Sequence, residues 1–399
     1  MKRLITFALC ILTLCVINPV AAQNGPGFYE PFTGPLIGTT ASYQDEILLY
    51  DLGSNTYRQL SFGYGEHHMW GFSPDGCRML FTVDSGDNYL PKMYTSRLDG
   101  SDQQEMVIFD ELPDNEWGVW EPNWSSTGNI AFTILRDLPQ QNREIERESH
   151  IAWIEGIGGE PEFFSVTGSE YSPRWSPDGA WLAYVSYDER VPGADIYSTA
   201  VPTTEPPPGQ ETEDPTTIKE ADLWVVSADG QTKYWLTNFD TGSVRSPRWS
   251  PDGELIGFIY SPSSVNDLFW MIANSPNALP TRLSNQWNIT LDVTWLPDSS
   301  AMLSSVREFK GTHESRLWQI PLIGDADVDA TLYAAGEEYM YTDFPRFSAD
   351  GSYLALRNEY SIVIVDLSDN SSQRIYEDLP GNTPPYWSPL TFRGESACQ

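Results

Sequence analysis

The sequence has few basic residues, and this shortage excludes one class of partner. Its 399 residues contain 23 lysines and arginines against 56 aspartates and glutamates, which gives a formal net charge of -33. So acidic a surface repels nucleic acids and anionic lipids, because both are polyanions. We therefore expect no nucleic-acid partner. Solubility outside the cell and attraction to basic protein patches both remain compatible with this charge.

Beyond the N-terminus, the sequence lacks an apolar run of the ~20 residues that cross a bilayer. The N-terminus itself combines Lys2 and Arg3, an apolar stretch at 4–17 and small residues up to Ala22. This order is typical of a cleaved secretory signal rather than a membrane anchor. We predict a signal peptide at 1–22, followed by a single periplasmic or extracellular domain at 23–399 without a membrane span.

Cysteine is scarce as well. Of the four cysteines, Cys10 and Cys15 belong to the predicted signal peptide, which leaves Cys77 and Cys398 near opposite ends of the mature chain. In an exported protein, two cysteines so placed are expected to form one disulfide. Two unpaired thiols are the alternative.

Several enzyme motifs are missing. The sequence contains no Gly-x-Ser-x-Gly segment and no following α/β-hydrolase domain, which argues against a prolyl-oligopeptidase-type peptidase. It has no phosphate-binding loop, and we predict no cofactor. Segment 325–329 begins like a calcium loop, but Ala330 and Gly336 replace the glycine and glutamate that such a loop needs. No metal site is predicted.

What the sequence does contain is a repeated turn motif, in which an aromatic residue precedes Ser-Pro-Asp-Gly or a variant of it. Proline fixes φ in such a turn, aspartate hydrogen-bonds the nearby backbone, and glycine accepts a positive φ. The aromatic residue is expected to anchor the core. The copies begin at Phe72, Trp124, Trp175, Trp249, Trp295, Phe347 and Trp387.

Strand-like runs follow each turn, so that each repeat contains about four short strands, which is typical of a propeller blade. Segments 46–52 and 57–60 supply the later strands of a blade whose first strand lies at 386–389. We predict an all-β, seven-bladed propeller closed by pairing of its N- and C-terminal strands, with six blades as the alternative. Closure would bring Cys77 and Cys398 to the same face of neighbouring blades, which favours the disulfide.

The strings Pro-Arg-Trp-Ser-Pro-Asp-Gly at 173–179 and 247–253 resemble the repeats of the TolB-like β-propellers, which are exported WD40-like proteins. The resemblance covers nearly the whole mature chain and implies both the propeller fold and export. Such propellers mostly serve protein–protein contact, and some carry hydrolase or lyase activity. We expect no counterpart of the α/β domain of TolB itself, because residues 24–45 are too few to form one.

Two inserts separate the predicted second and third strands of their blades. Segment 188–220 is acidic and rich in proline and threonine, so we predict a disordered loop. Segment 136–150 is charged and is predicted to form a helical turn. Both project from the face opposite the turn motifs. We interpret this face as the binding surface, because functional residues concentrate in loops on a rigid scaffold; neutral variation of the loops is the alternative.

The candidate binding residues lie near this face or in the predicted channel. The loops contribute aromatic and charged residues, namely His67, His68, Trp70, Trp117, Trp120, Glu121, Tyr171, Tyr339 and Tyr341. Arg174, Arg248 and Arg346 each stand directly before an aromatic anchor, where the innermost strand lines the channel. They predict either a basic ring that accepts an anion or a carboxylate, or ion pairs with acids of neighbouring blades.

The sequence therefore favours a binding or scaffold module over an enzyme. Its expected partner is another protein or a component of the envelope or the extracellular medium. The alternative is a lyase or hydrolase that acts on polysaccharide or peptidoglycan at the channel mouth, with acidic residues and His67 or His68 as its acid–base set. We assign no catalytic residue.

Overall fold

The chain folds almost entirely into antiparallel β-strands. The structure is a computed structural model, and it describes residues 22–24, 30–41, 46–63, 65–84, 90–107, 116–139, 145–164, 169–190, 218–239, 242–263, 266–284, 289–307, 315–333, 342–358, 361–376 and 383–398. The helical segments among these residues are α1 (Ala326–Asp329) and a 3-10 helix (Glu395–Cys398), and neither is a candidate for a membrane span.

The first sheet contains strands from both ends of the chain. Its order is β29-β2-β3-β4, with β1 parallel to β4 at the outer edge. The strands are β1 (Ala22–Asn24), β2 (Leu36–Ala41), β3 (Glu46–Asp51), β4 (Thr56–Ser61) and β29 (Tyr386–Trp387). Ile37 pairs with Trp387 and Gly38 with Tyr386, which confirms the predicted pairing of the terminal strands.

The next two groups of strands are four-stranded meanders in sequence order. One contains β5 (Glu66–Phe72), β6 (Arg78–Asp84), β7 (Lys92–Arg97) and β8 (Gln104–Glu105). The other contains β9 (Trp117–Trp124), β10 (Ile130–Pro139), β11 (Ile145–Ile154) and β12 (Glu162–Phe163).

An eight-stranded sheet follows, and it consists of two meanders. They contain β13 (Glu170–Trp175), β14 (Trp181–Arg190), β15 (Ile218–Ser227) and β16 (Lys233–Trp235), then β17 (Ser243–Trp249), β18 (Leu255–Ser263), β19 (Asn266–Ala273) and β20 (Thr281–Arg282). A single parallel pair, Ala221 with Ser243, joins the two meanders. The sheet is therefore continuous only through one bridge.

Two further four-stranded meanders complete the described strands. They contain β21 (Ile289–Trp295), β22 (Ala301–Arg307), β23 (Arg316–Pro321) and β24 (Thr331–Leu332), then β25 (Thr342–Phe347), β26 (Tyr353–Asn358), β27 (Ser361–Asp366) and β28 (Ser372–Ile375).

The first strands of the meanders surround a central channel. Each contacts the next one along the chain, from β5 through β9, β13, β17, β21 and β25 to β29, and β29 contacts β5 again. This closed series of contacts makes the fold a β-propeller, as the repeats predict. Closure protects the sheet edges that an open array would expose.

The core lies between neighbouring sheets. One cluster joins Phe269 of β19 to Val293 and Trp295 of β21, and all three side chains are buried. Gly257 permits this approach, because a Cβ atom there would lie 2.3 Å from the sulfur of Met302. The aromatic anchors therefore pack between blades, as predicted.

The turn motif is held by a recurring hydrogen-bond set. In the turn 348–352, the Ser348 hydroxyl donates to Asp350 Oδ1 at 2.6 Å, and the backbone N–H of Ser352 donates to the same oxygen at 3.0 Å. Gly351 has a φ of 72°, the left-handed region that favours glycine. The hydrogen bond from Ser348 lowers the pKa of Asp350. These turns define the turn face of the propeller, and the opposite side is the strand-start face.

The C-terminal tail fastens the ring on the turn face. Cys77 and Cys398 form the predicted disulfide, with a Cα–Cα distance of 5.4 Å. The buried Arg58 donates from Nη1 to Glu395 Oε1 at 2.9 Å and from Nη2 to Glu395 Oε2 at 2.8 Å. Its guanidinium group also lies 3.9 Å from the centroid of the Phe32 ring. The tail therefore links the two ends of the chain covalently and by ion pairing.

The helical turn predicted at 136–150 is wrong, and the bounds predicted for the loop at 188–220 are too wide. The segment predicted as a helical turn, 136–150, instead extends β10 and β11 into a long hairpin, in which Pro139 pairs with Ile145. Likewise, both ends of segment 188–220 are strand, since Arg190 pairs with Ile218. Extension satisfies backbone hydrogen bonds that a loop leaves to water. Residues 191–217 and 140–144 lie outside the described residues.

Candidate functional site

A β-bulge in several inner strands positions the channel arginines. In β13, β17 and β25 the register shifts between Tyr171 and Arg174, between Arg245 and Arg248, and between Asp343 and Arg346. The first bulged residue has a positive φ in each case, at 56°, 52° and 52° for Ser172, Ser246 and Phe344. A bulge re-aims the side chain that follows it. The arginine after each bulge lines the channel.

These arginines lie in a cavity of 520 Å³, which we call the arginine cavity. Its polar and aromatic lining includes Trp70, Glu121, Asn123, Arg174, Arg245, Arg248, Asp292, Phe344, Arg346 and Tyr386. Four arginines against two carboxylates give this lining a formal net charge of +2, whereas the whole chain carries -33. The cavity is therefore a local basic site in a strongly acidic protein.

Asp292 holds two of the arginines together. Arg248 Nη2 lies 3.1 Å from Asp292 Oδ1 and 3.3 Å from Oδ2, and Arg346 Nη2 also donates to Oδ2. Burial alone would raise the pKa of Asp292, but the two guanidinium groups outweigh burial and lower it to about 2. The carboxylate is thus ionised at neutral pH. This arrangement matches the predicted pairing of the arginines with acids of neighbouring blades.

Arg174 is held differently. Its nearest acid is Glu121, at 3.6 Å between Arg174 Nη2 and Glu121 Oε1, which is longer than a direct hydrogen bond. Its Nη1 donates to the backbone carbonyl of Pro173 at 2.7 Å. Burial lowers the pKa of Arg174, and the charge of Glu121 partly opposes this effect. The backbone carbonyl of Arg174 accepts a hydrogen bond from Trp249 Nε1 at 2.9 Å, which fixes its strand against the next blade.

Tyr386 occupies the position directly before Trp387 that arginine occupies in other repeats. It lines the arginine cavity, and burial raises its pKa. The charges of Arg346, Arg174 and Arg248 oppose that rise, because a nearby cation favours the phenolate. The Tyr386 side chain therefore lies within electrostatic reach of all three arginines.

A second cavity, of 340 Å³, lies at the turn face and is called the turn cavity here. Its lining contains aromatic, serine and proline residues of the turn motif, namely Phe72, Ser73, Pro74, Trp124, Ser125, Ser126, Phe347, Trp387, Ser388 and Pro389. Arg346 and Tyr386 line both cavities and separate them. Among the residues described, Arg346 is the one charged side chain in its lining.

An aromatic group lies beside the arginine cavity towards the strand-start face. The Trp120 ring makes edge contacts with Trp70 at 5.4 Å and with His68 at 5.8 Å between ring centroids. Trp70 Nε1 donates to Thr82 Oγ1 at 2.9 Å, which fixes the indole that lines the cavity. Burial lowers the pKa of His68, although Glu66 and Asp84 oppose this shift. His68 is therefore mainly neutral near pH 7.

The structure brings some of the predicted site residues together and separates others. Trp70, Glu121 and the three channel arginines share the cavity, while Trp120 and His68 lie beside it. Tyr171 lies farther out, with its ring against Tyr187 at 5.6 Å.

Two of the predicted binding residues are buried instead. His67 and Trp117 are each 1% exposed, so neither contributes to an exposed binding face. Both belong to strands, β5 and β9, in which alternate side chains point into the core. The interpretation of these segments as loops is therefore wrong. Tyr339 and Tyr341 lie outside the described residues.

Sequence reasoning missed Arg245, Asp292 and Tyr386. Alignment of the repeats on their aromatic anchors could have found two of them. Asp292 stands three residues before Trp295, as Glu121 does before Trp124, and Tyr386 takes the arginine position before Trp387. Within the described residues, no group of three histidine, cysteine or acidic side chains is arranged to hold a metal ion.

Comparison with known proteins supports the fold. The chain is 27% identical over 146 residues to the protein Atu1656 of Agrobacterium fabrum, which covers 36% of this chain and about half of that relative, 47%. No family model matches. Residue identities to the solved structures are far lower.

Two solved structures share the architecture over most of the chain. An oligogalacturonate lyase from Vibrio parahaemolyticus has a TM-score of 0.54 at 13% identity, covering 82% of this chain and 84% of its own. A prolyl endopeptidase has a TM-score of 0.51 at 12% identity, covering 88% of this chain and 51% of its own. At such identities the similarity shows the fold alone, and the class that it defines is the β-propeller.

Proposed function

We propose that this chain is an exported, seven-bladed propeller that binds another protein or an envelope component through its strand-start face. The observation that carries this proposal is the arginine cavity with the aromatic group of Trp70, Trp120 and His68 beside it. A concave site with aromatic walls and a few convergent charged groups is the usual form of a binding site. Trp120 remains 37% exposed, so its ring is available to a partner.

The proposed blade number rests on the strand pairing. The eight-stranded sheet divides at its single bridge between Ala221 and Ser243, and the first sheet takes its innermost strand from the C-terminus. If the eight-stranded sheet counts as two blades and the first sheet as one, each blade contains one of the seven turn motifs.

The proposed export rests on two features. Residues 1–22 have the composition of a secretory signal, and Cys77 and Cys398 are joined, which is typical of oxidising compartments. We propose 23–399 as the mature domain.

Site-specific photo-crosslinking tests the binding face. A crosslinking amino acid at position 120 is expected to capture a defined partner from the cell envelope or medium, and excess unmodified protein should compete for it. Leu279 is a matched control, because it is more exposed, at 85%, but lies in a connection between third and fourth strands on the turn face. Capture of the same partner from position 279 alone, or equally from both positions, contradicts the proposal.

The enzyme alternative receives less support from the histidines. His67 is buried, and the ring of His68 contacts Trp120 rather than lining the arginine cavity. The acid–base set predicted for this alternative therefore does not converge at the cavity. Release of unsaturated or shortened products from polysaccharide or peptidoglycan by the purified protein would favour the enzyme instead.

A further inference from the structure

The three channel arginines differ in which of their guanidinium N–H groups already donate to acceptors within the protein. Arg248 and Arg346 both donate to Asp292, so each already uses Nη2 within the protein, and one carboxylate offsets one of their two charges. Towards the described residues, the Arg174 guanidinium makes the 3.6 Å approach to Glu121 and the hydrogen bond from Nη1 to the Pro173 carbonyl. Within the described part of the chain, its Nε and Nη2 atoms donate no hydrogen bond to a protein acceptor.

Arg174 nevertheless retains access to the cavity. Its side chain is 18% exposed, and the guanidinium group is planar with donors along one edge. The Tyr386 hydroxyl lies within electrostatic reach and, among the described residues, also has no hydrogen-bonding partner. Arg174 and Tyr386, a partly buried cation and a hydroxyl-bearing residue that line the same cavity, can form a donor pair for a planar anion.

We propose that Arg174 and Tyr386 bind the terminal carboxylate of a partner polypeptide that enters the arginine cavity from the strand-start face. This proposal rests on the proposed function and names the chemical group that the partner presents. Arg248, Asp292 and Arg346 act as a charged support that shapes the cavity wall.

The geometry favours a carboxylate over a doubly charged phosphate. A guanidinium edge matches the two oxygens of a carboxylate. Glu121 lies against Arg174, so a second negative charge on the ligand would meet the charge of Glu121. The walls formed by Trp70 and Phe344 suit an apolar side chain next to the carboxylate.

The charge of the whole protein favours a chain terminus over a small free acid. The formal net charge of -33 repels a free anion as it approaches. A segment with basic residues ahead of its terminal carboxylate is attracted by the acidic surface of the protein. The carboxylate of its last residue then pairs with Arg174. The cavity volume of 520 Å³ accommodates one or two residues of such a segment.

The test uses the full mature protein and calorimetric titration with an acetylated Lys-Lys-Ala-Phe peptide. The peptide with a free C-terminal carboxylate is expected to bind about tenfold more tightly than its C-terminal amide, since one charge-assisted hydrogen-bond pair is lost. N-acetylphenylalanine should bind more weakly than the peptide. Equal affinity for acid and amide, including no binding of either, overturns the proposal.

Variants then assign the effect to its residues. In Arg174→Gln the preference for acid over amide should fall below about threefold, and in Arg174→Lys it should be intermediate, because the charge remains but the planar fork is lost. Tyr386→Phe should reduce the preference by a smaller factor. Arg97→Gln is the control, because Arg97 is half exposed near Cys398 and its loss changes the net charge equally. A preference that persists in Arg174→Gln overturns the assignment.

Competition distinguishes the sources of the anion. N-acetylphenylalanine that binds as tightly as the peptide would overturn the choice of a chain terminus, and inorganic phosphate that displaces the peptide at equal concentration would overturn the choice of a carboxylate. A partner that crosslinks at position 120 in both wild type and Arg174→Gln would leave the proposed function intact and refute only the carboxylate contact. Carboxylate binding without any crosslinked partner would support the carboxylate contact and refute the proposed binding of a partner at the strand-start face.

Discussion

The two cavities of the channel come from the same repeats but from different positions within them. The turn cavity is lined by the aromatic anchor and the Ser-Pro positions, which are similar from blade to blade. The arginine cavity is lined by residues one to four places before the anchor, where the blades differ and carry charged, polar, aromatic or proline residues. The residues that form the turn and those that form the proposed binding site are therefore mostly different stretches of the same inner strands, with Arg346 and Tyr386 shared between the two cavities.

The two regions also differ in how they are stabilised. The turn face relies on short-range hydrogen bonds such as Ser348 to Asp350 and on the disulfide between Cys77 and Cys398. The arginine cavity relies on buried charges, in which one carboxylate, Asp292, holds two guanidinium groups. Buried charges are costly unless they are paired, so removal of the shared partner should affect this region most.

The largest expected effect is that of Asp292→Ala. This change leaves the guanidinium groups of Arg248 and Arg346 without their common acceptor, and we expect a loss of about 3–5 kcal/mol in the free energy of unfolding. Urea denaturation measures it. Asp298→Ala in the following turn is the control and should cost about 1 kcal/mol, because that carboxylate is exposed and hydrogen-bonds Ser300. Equal losses in the two variants would contradict the special role of Asp292.

The acid dependence of stability sharpens this prediction. The pKa of Asp292 is about 2 in the folded protein and about 3.9 in an unfolded chain. A depressed pKa contributes stability that is fully present above about pH 4 and is lost as pH falls towards 2. The difference in unfolding free energy between wild type and Asp292→Asn should therefore shrink across this window. A difference that stays constant would place the pKa of Asp292 near its ordinary value.

The next effect concerns the turn face. Cys398→Ser removes the covalent link between Cys77 and the C-terminal tail, and we expect a loss of about 2–4 kcal/mol in the free energy of unfolding. Binding of the test peptide should remain unchanged, because the disulfide lies on the face opposite the arginine cavity. Cys77→Ser and the double variant should match the single variant, since all three remove the same bond. A change in peptide affinity would show that the two regions are coupled.

A smaller effect is expected where the two regions meet. Trp249→Phe removes the hydrogen bond from the indole Nε1 to the backbone carbonyl of Arg174 and should cost about 1 kcal/mol beyond the change in packing. Trp175→Phe is the matched control, because the Nε1 of this similarly buried anchor has no hydrogen-bond partner in the described residues. Chemical denaturation of both variants measures the difference. Equal losses would mean that the hydrogen bond contributes nothing.

The sequence alone was sufficient for the features that recur. The turn motifs and the strand periods predicted the propeller, and the complementary ends predicted both the pairing of the terminal strands and the disulfide. The fold, the terminal strand pairing and the disulfide all follow from the repeats. The repeats show the local strand pattern, and the incomplete repeats at the two ends show that the ring closes.

The candidate site could be predicted only in part. The three arginines were recognisable from their position before the anchors. That Arg248 and Arg346 share Asp292 was not, because the bulge shifts the strand register and neighbouring blades meet only in the fold. His67 and Trp117 were wrongly predicted to lie in loops, because their segments are rich in aromatic and polar residues. In the structure both segments are strands, in which side chains alternate between the two faces and these two are buried. Alignment of the repeats marks such positions, but only the fold shows which side chains converge across blades.

The most direct test of the separation between the two cavities is ¹⁹F NMR of the protein labelled with 5-fluorotryptophan. Trp70 lines the arginine cavity, whereas Trp124 and Trp387 line the turn cavity, so substitution of each residue assigns its resonance. On titration with the peptide acid, the Trp70 resonance should shift while those of Trp124 and Trp387 stay unchanged. A shift of Trp124 or Trp387 with no shift of Trp70 would contradict the account.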